Sequence, residues 1–238
     1  MLQGSKKELI IPSYHIEVGG LTIHYKSLGQ GQPLIFIHGG ANDWHEWRKN
    51  IPFFARRFCI YAPDLPGFGL SQKPDEPISP HSMALFIRDF MDALSINRAH
   101  IIAHSFGGLV AIATALEYPK RVNKLVIVDS AGIGDLSRKG LFIISFMHAV
   151  KKLFGKNNEL EFKEGKHHWY FEDRLSRIEQ PVLLIWGERD PYLPLSQART
   201  AHHLIPDSKL HIFQNCHHAP QRERTRKFNS LVYSFLVE

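Results

Sequence analysis

The sequence predicts an α/β fold: a mostly parallel β-sheet with helices on both faces, opened by an antiparallel hairpin and interrupted by one small helical cap. Three observations predict it. Short apolar runs alternate with helix-periodic stretches along most of the chain. The runs are apolar at nearly every position, as strands buried on both faces are. The first two runs instead flank Gly19-Gly20, which signals a hairpin.

In order, YHIEVGGLTIHYKSLG (14–29) reads as the hairpin and PLIFIHGG (33–40) as a strand ended by glycines. FCIYAPDLPGFG (58–69) is a strand running into a Pro/Gly loop. HSMALFIRDFMDALSI (81–96) carries Leu85, Phe86, Phe90, Met91 and Leu94 at helical spacing. AHIIAHS (99–105) is a strand, FGGLVAIATALEYP (106–119) a helix stopped near Pro119, and NKLVIVDS (123–130) a strand. After a long middle segment come a strand in PVLLIWGERD (181–190), a helix in LSQARTAHHLIP (195–206), a strand in SKLHIFQN (208–215) and a helix in RERTRKFNSLVYSFL (222–236). In such sheets ligands bind beyond the carboxyl ends of the strands.

The bulk numbers narrow the function classes. The chain has 238 residues, 44% hydrophobic and 22% charged, enough for a core without staples. Cys59 and Cys216 fit no metal spacing and no disulfide scaffold. The N-terminal lysines precede no long apolar region, and the longest apolar run, LFIISFMHAV (141–150), is too short to span a bilayer. A cytoplasmic protein without a membrane span is therefore predicted. The net charge of +6 is scattered apart from RERTRK (222–227), which Glu223 interrupts. That run reads as a solvated helix face, and no nucleic-acid partner is expected.

IIAHSFGGLV (101–110) interrupts an apolar run with His104 and Ser105 and follows them with Gly107 and Gly108. Ser105 ends a predicted strand and precedes a predicted helix. A reversal that abrupt strains the turn residue and pushes it toward solvent, while small neighbours, Ala103 and Gly107, let strand and helix approach. The helix N-terminus then aims N–H groups at the serine oxygen. These are the mechanics of the G-x-S-x-G nucleophile elbow, here with alanine in the first glycine's place.

On these residues the chain resembles the α/β-hydrolase family over nearly its whole length. The resemblance implies a nucleophile, an acid and a base in that chain order. A serine hydroxyl needs a base to take its proton, and the base needs an orienting acid. Asp190 in IWGERDPYLP (185–194) matches the family's acid, with Asp129 after KLVIV as a rival. His218-Ala219-Pro220 matches a Gly-His-x-Pro pattern, so the base carries over to His218, with His217 as the alternative. If the glycine of that pattern serves a positive φ, histidine at 217 is among the better substitutes. FIHGGAND (36–43) resembles the oxyanion loop, which maps one donor to Gly40, with Ala41 beside it and Phe106 N–H as the second donor. His38 is expected to brace that loop, Asp64 to hold the APDLPGFGLS turn, and His104 to underlie the elbow.

The resemblance divides the chain into a core, residues 1–131 and 181–238, and a short cap, residues 132–180. One amphipathic helix is expected over 141–154, either as a lid whose Phe142, Phe146 and Met147 shape the substrate pocket or as a surface helix packed on the sheet; Trp44 is expected to face the pocket or to pack in the core. A short lid implies an open pocket and an apolar patch that a second copy of the chain, in a homodimer, would cover. The expected chemistry is cleavage of a small carboxylic ester through an acyl-enzyme, with no cofactor. Carbon–carbon hydrolysis, lactone hydrolysis, peracid formation or acyl transfer by the same triad are alternatives, as is a hydrolase-like protein that only binds. Dehalogenase and epoxide-hydrolase chemistry is disfavoured, because those relatives carry Asp where this chain has Ser105. No metal site is expected: HExxH is absent from a chain with 15 histidines, and adjacent histidines in a strand point to opposite sides.

Overall fold

The computed structural model describes residues 10–141 and 169–238. Its strands are β1 (Ser13–Val18), β2 (Leu21–Leu28), β3 (Gln32–Ile37), β4 (Phe58–Pro63), β5 (Ala99–His104), β6 (Val122–Val128), β7 (Val182–Gly187) and β8 (Ser208–Phe213). Its helices are α1 (Ile51–Phe54), α2 (Pro80–Ala93), α3 (Phe106–Glu117), α4 (Leu195–Leu204), α5 (Pro220–Glu223) and α6 (Thr225–Val237), and a short 3-10 turn spans Trp44–Trp47. The strands form one sheet in the order β1-β2-β4-β3-β5-β6-β7-β8. β1, β2 and β4 pair antiparallel, and every pair from β4 to β8 is parallel.

Alternation along each central strand divides the core between the two faces. In β3, Ile35 and Ile37 pack with α2, α3 and α4, while Leu34 and Phe36 pack with α1 and α6. All four are fully buried. Burying each such side chain contributes about 1.5–3 kcal/mol, so the sheet supplies a rigid frame for its loops. α2 begins one residue earlier than its periodicity suggests because Ser79 caps it. The Ser79 hydroxyl accepts from Ser82 N–H at 3.0 Å, the Ser82 hydroxyl answers Ser79 N–H at 2.8 Å, and Pro80 occupies the first turn.

Two expectations are revised. β3 stops at Ile37 rather than running to Gly40, because residues 38–40 turn away as a loop. The single C-terminal helix divides into α5 and α6 at Arg224, whose φ of −126° and ψ of 35° are not helical. Its guanidinium reaches back to the carbonyl of Asn215 at 3.1 Å, which fixes the break. Most of residues 132–180, expected to form the cap, lie outside the described residues, with Phe142, Phe146 and Met147 among those left out. No helix among the described residues is long and apolar enough to cross a membrane.

Candidate active site

Ser105 sits between β5 and α3 with φ 53° and ψ −117°. A non-glycine residue in that region costs about 1–3 kcal/mol and persists only where its surroundings over-determine it. They do so here. Ser105 N–H donates to the Val128 carbonyl at 3.0 Å, and its own carbonyl accepts from Gly108 N–H at 3.0 Å and Ala131 N–H at 3.1 Å. The small residues serve neighbouring strands rather than the elbow's own. A Cβ on Gly107 would lie 2.5 Å from the His38 carbonyl and 2.6 Å from that of Ile37, at the end of β3. One on Gly108 would collide with Ser130, just past β6.

Three separate strand ends converge on the hydroxyl. His218 Nε2 is 3.0 Å from Ser105 Oγ, and His218 Nδ1 is 2.7 Å from Asp190 Oδ2. The Asp190 carboxylate is fully buried. Its other oxygen accepts from Tyr192 N–H at 2.7 Å and Leu193 N–H at 3.1 Å. A hydrogen on Nδ1 facing the carboxylate leaves the lone pair of Nε2 for the serine proton. Burial lowers the pKa of His218, and the charge of His104 lowers it further, against the pull of Asp190. The ring therefore stays a free base at neutral pH.

The alternatives occupy other roles. His217 is exposed and turned to Glu223, which its backbone N–H meets at 3.1 Å. The left-handed residue of this loop is Asn215, with φ 52°, not His217, so the glycine of the family pattern is not replaced here for its φ. Asp129 is fully buried and accepts from Gly187 N–H at 2.9 Å. Burial, and then the nearby charge of Asp190, push its carboxyl well above the usual range. Asp190, not Asp129, is the carboxylate on His218.

Gly40 is exposed beside the elbow: a Cβ there would meet only Phe106 Cβ, at 3.6 Å. Gly39 N–H is already committed to Glu46 Oε2 at 2.7 Å, so the loop's free edge begins at Gly40. Ala41 follows with φ 60°. His38 is buried, accepts from Leu65 N–H at 2.9 Å and donates to the Gly39 carbonyl at 2.8 Å, so it braces the loop as a neutral ring. Asp64 accepts from Trp44 N–H at 2.8 Å and Leu70 N–H at 3.0 Å, and pairs with His24 at 2.8 Å. Trp44 packs with the α1 and α6 side of the core, stacked on His45 with Lys26 Nζ 4.6 Å from its ring centre.

Several residues of the site carry no signal in the sequence. Phe68 and Trp169 lie 6.1 and 6.5 Å from the Phe106 ring, and Tyr192 lies 4.8 Å from that of His218. Glu46 contacts His104 Nδ1 beneath the elbow. Burial would raise the Glu46 carboxyl, but His104 and the Gly39 N–H outweigh it and hold it at about 2. His104, Asp129 and His218 also place ligand-type atoms within 4.8 Å of one another. An ion there would have to displace the His104 contacts and the His218 relay, so this trio is already engaged otherwise.

The sequence model for the alpha/beta hydrolase fold matches residues 32–159. The chain is 30% identical over 270 aligned positions to a 2-hydroxymuconate semialdehyde hydrolase of Pseudomonas sp. (strain CF600), covering 94% of this chain and 93% of that protein. It is 29% identical to a 2-hydroxy-6-oxo-6-phenylhexa-2,4-dienoate hydrolase of Burkholderia cepacia, covering 92% and 93%. Among solved structures, a meta-cleavage product hydrolase from Pseudomonas fluorescens IP01 is similar with a TM-score of 0.80 and 29% identity, over 95% of this chain and 97% of that one. The chain belongs to the alpha/beta hydrolase fold family and is a hydrolase.

Proposed function

We propose that this protein hydrolyses a carbon–carbon bond next to a carbonyl, in a small substrate of the ring-fission type, with Ser105, His218 and Asp190 as its triad. The observation that carries the chemistry is the relay from Asp190 through His218 to Ser105, at 2.7 and 3.0 Å. The choice of bond rests on relatives that match more than nine-tenths of the chain and are named for such substrates. Ester cleavage, which the motifs alone favour, uses the same relay and is the alternative outcome of the test.

Ser105 Oγ adds to the substrate carbonyl as its proton passes to His218 Nε2. Asp190 steadies the imidazolium, and the N–H groups of Phe106 and Gly40 hold the oxyanion, each donor worth roughly 3 kcal/mol in the transition state. The carbon–carbon bond then breaks. Its electron pair leaves on carbon, which takes the proton from His218. A carbon leaving group departs at a useful rate only when conjugation spreads that electron pair, which the keto form of a 2-hydroxy-6-oxo-dienoate provides. Water adds to the acyl-enzyme, gives its proton to His218, and Ser105 is released with that proton.

The test sets 2-hydroxy-6-oxo-dienoates beside p-nitrophenyl esters of increasing acyl length. The dienoates should show the higher kcat/KM, and Ser105→Ala should lose about 10³-fold or more. Turnover of esters alone would replace the carbon–carbon reading with the ester one. Equal rates for Ser105→Ala and the parent protein would end both.

A further inference from the structure

Beneath the triad lies a second imidazole–carboxylate pair that no step above uses. The side chains of Glu46 and His104 are 1% and 4% exposed. Both ring nitrogens of His104 face oxygens that carry no proton. Nδ1 contacts Glu46 Oε1, and Nε2 donates to the backbone carbonyl of His218 at 2.5 Å. A carboxylate against one nitrogen and a carbonyl against the other favour a hydrogen on each: burial would lower the pKa of His104, but Glu46 outweighs it and raises it. Glu46 also accepts from Gly39 N–H at 2.7 Å and from Gln221 Nε2 at 2.7 Å. One buried charge pair thus touches the oxyanion loop, the residue before the nucleophile, the backbone of the base, and helix α5 just beyond it.

Stability alone does not account for such a pair, because the cost of removing two charges from water cancels most of their attraction. What the pair supplies is direction: charge-assisted hydrogen bonds fix the orientation of their partners more narrowly than non-directional apolar contact does. We propose that Glu46 and His104 are positioning residues of this hydrolase, and that their ion pair holds the oxyanion loop, the elbow and the catalytic histidine in mutual register. The proposal rests on the hydrolase reading above.

Two consequences follow from the geometry. Loosening the pair frees Gly39 and the His218 carbonyl together, and misplacement of about 1 Å can cost 10²-fold in rate. The rings of His104 and His218 are 4.6 Å apart, so the charge on His104 also opposes protonation of the base. The charged and titratable groups around His218 are Asp190 after β7, His104 at the end of β5 and Glu46 in the 3-10 turn, with an Asp129 oxygen after β6 within 4.8 Å and the Tyr192 ring 4.8 Å away. Those acting on His104 are Glu46 and Asp190, with His218 as its backbone partner. His38 after β3 faces Glu46, and Asp129 after β6 faces Asp190. His104 acts on His218 more strongly than Glu46 does. Neutralising the pair should therefore raise the pH at which His218 takes up its proton.

The test is Glu46→Gln, which keeps the shape and an acceptor for Gly39 N–H but removes the charge. The expected result is kcat lower by about 10- to 100-fold, with KM within about twofold and the acidic limb of kcat/KM moved to higher pH. A merely structural pair would reduce the folded fraction, read by denaturant titration, and leave kcat per folded molecule and the limb unchanged; that result overturns the proposal. If Glu46→Gln does not fold, long-range ¹⁵N–¹H NMR of the histidine-labelled parent protein decides. His104 should carry both ring hydrogens at a pH where His218 carries one, and a neutral His104 overturns the proposal. If Ser105→Ala leaves turnover intact, the hydrolase reading falls. If Ser105→Ala abolishes turnover while Glu46→Gln matches the parent, only the positioning role falls.

Discussion

Gly187 and His217 meet backbone to backbone: a Cβ on Gly187 would lie 2.8 Å from the carbonyl oxygen of Cys216 and nearer still to that of His217. Gly187 closes β7, and Asp190 N–H folds back onto its carbonyl at 3.2 Å. The next residue after His217 is His218. This contact therefore sets the spacing between the strand that leads to Asp190 and the loop that carries His218. The glycine is required for space, since its φ is not in the left-handed region.

Gly187→Ala should push the 215–218 loop off the strand. A forced methyl in a packed contact costs about 1–3 kcal/mol, and displacement of His218 should lower kcat by about 10²-fold. Urea unfolding and kcat on the preferred substrate read the two effects separately. Wild-type values for both would show that the loop can retreat without disturbing the relay.

The two buried carboxyls should respond in opposite ways to the same change. Asp190→Asn removes the charge that orients His218 and should lower kcat by about 10⁴-fold. Asp129→Asn keeps an acceptor for Gly187 N–H and replaces a carboxyl whose neutral form burial and Asp190 favour, so kcat should change far less than in Asp190→Asn. Stability should show the difference. The folded-state pKa of Asp129 is raised. Its protonated form therefore stabilises the protein fully below the unfolded value of about 4, and this contribution is lost as pH rises through the folded value. Asp129→Asn has no such loss, so its stability relative to the parent should climb as pH is raised from about 4. Unfolding free energies across that range are the measurement, and a pH-independent difference would contradict the assignment.

The pH profile of the parent protein follows from the base. In the proposed triad His218 must be neutral to accept the serine proton, and its pKa is lowered by burial and by His104. Activity should thus rise with pH and reach its plateau early, with the acidic limb of kcat/KM centred below the ordinary histidine value of about 6.5. A limb centred above that value would mean that Asp190 outweighs burial at this site.

How much of this was legible depends on how local each signal is. The central strands are apolar on both faces, so their runs announce themselves without partners. The elbow is legible because Ala103, Ser105 and Gly107 stand within five residues of one another. Asp190 and His218 lie in loops, and they are found through the motif order of the family rather than through periodicity. Glu46 has no such handle. It sits in a short 3-10 turn, and its partners His104 and Gln221 lie 58 and 175 residues further along the chain. The tight packing of Gly187 is equally silent, since the backbone it touches belongs to the 215–218 loop. The break at Arg224 was hidden because a helix-compatible composition runs straight through it.

The last prediction concerns Asn50, fully buried where the chain enters α1. Its amide donates to Asn229 Oδ1 at 2.7 Å and to the Gln221 carbonyl at 3.2 Å, so it joins α1, α5 and α6 at one point. Asn50→Ala strands Asn229 Oδ1 in the core, while the Gln221 carbonyl keeps the Thr225 hydroxyl at 3.0 Å, and an unsatisfied buried acceptor costs about 1–3 kcal/mol. Asn229→Ala strands the Asn50 amide in the same way. Removing both partners leaves fewer orphans than the two single changes together, so the double variant should be less destabilised than the sum of the singles, by about 0.5–3 kcal/mol. A double-mutant cycle by urea unfolding measures that coupling. Strict additivity would show that the amide pair contributes nothing beyond two separate packing contacts, and that α1 is tied to α6 by its aromatic side chains alone.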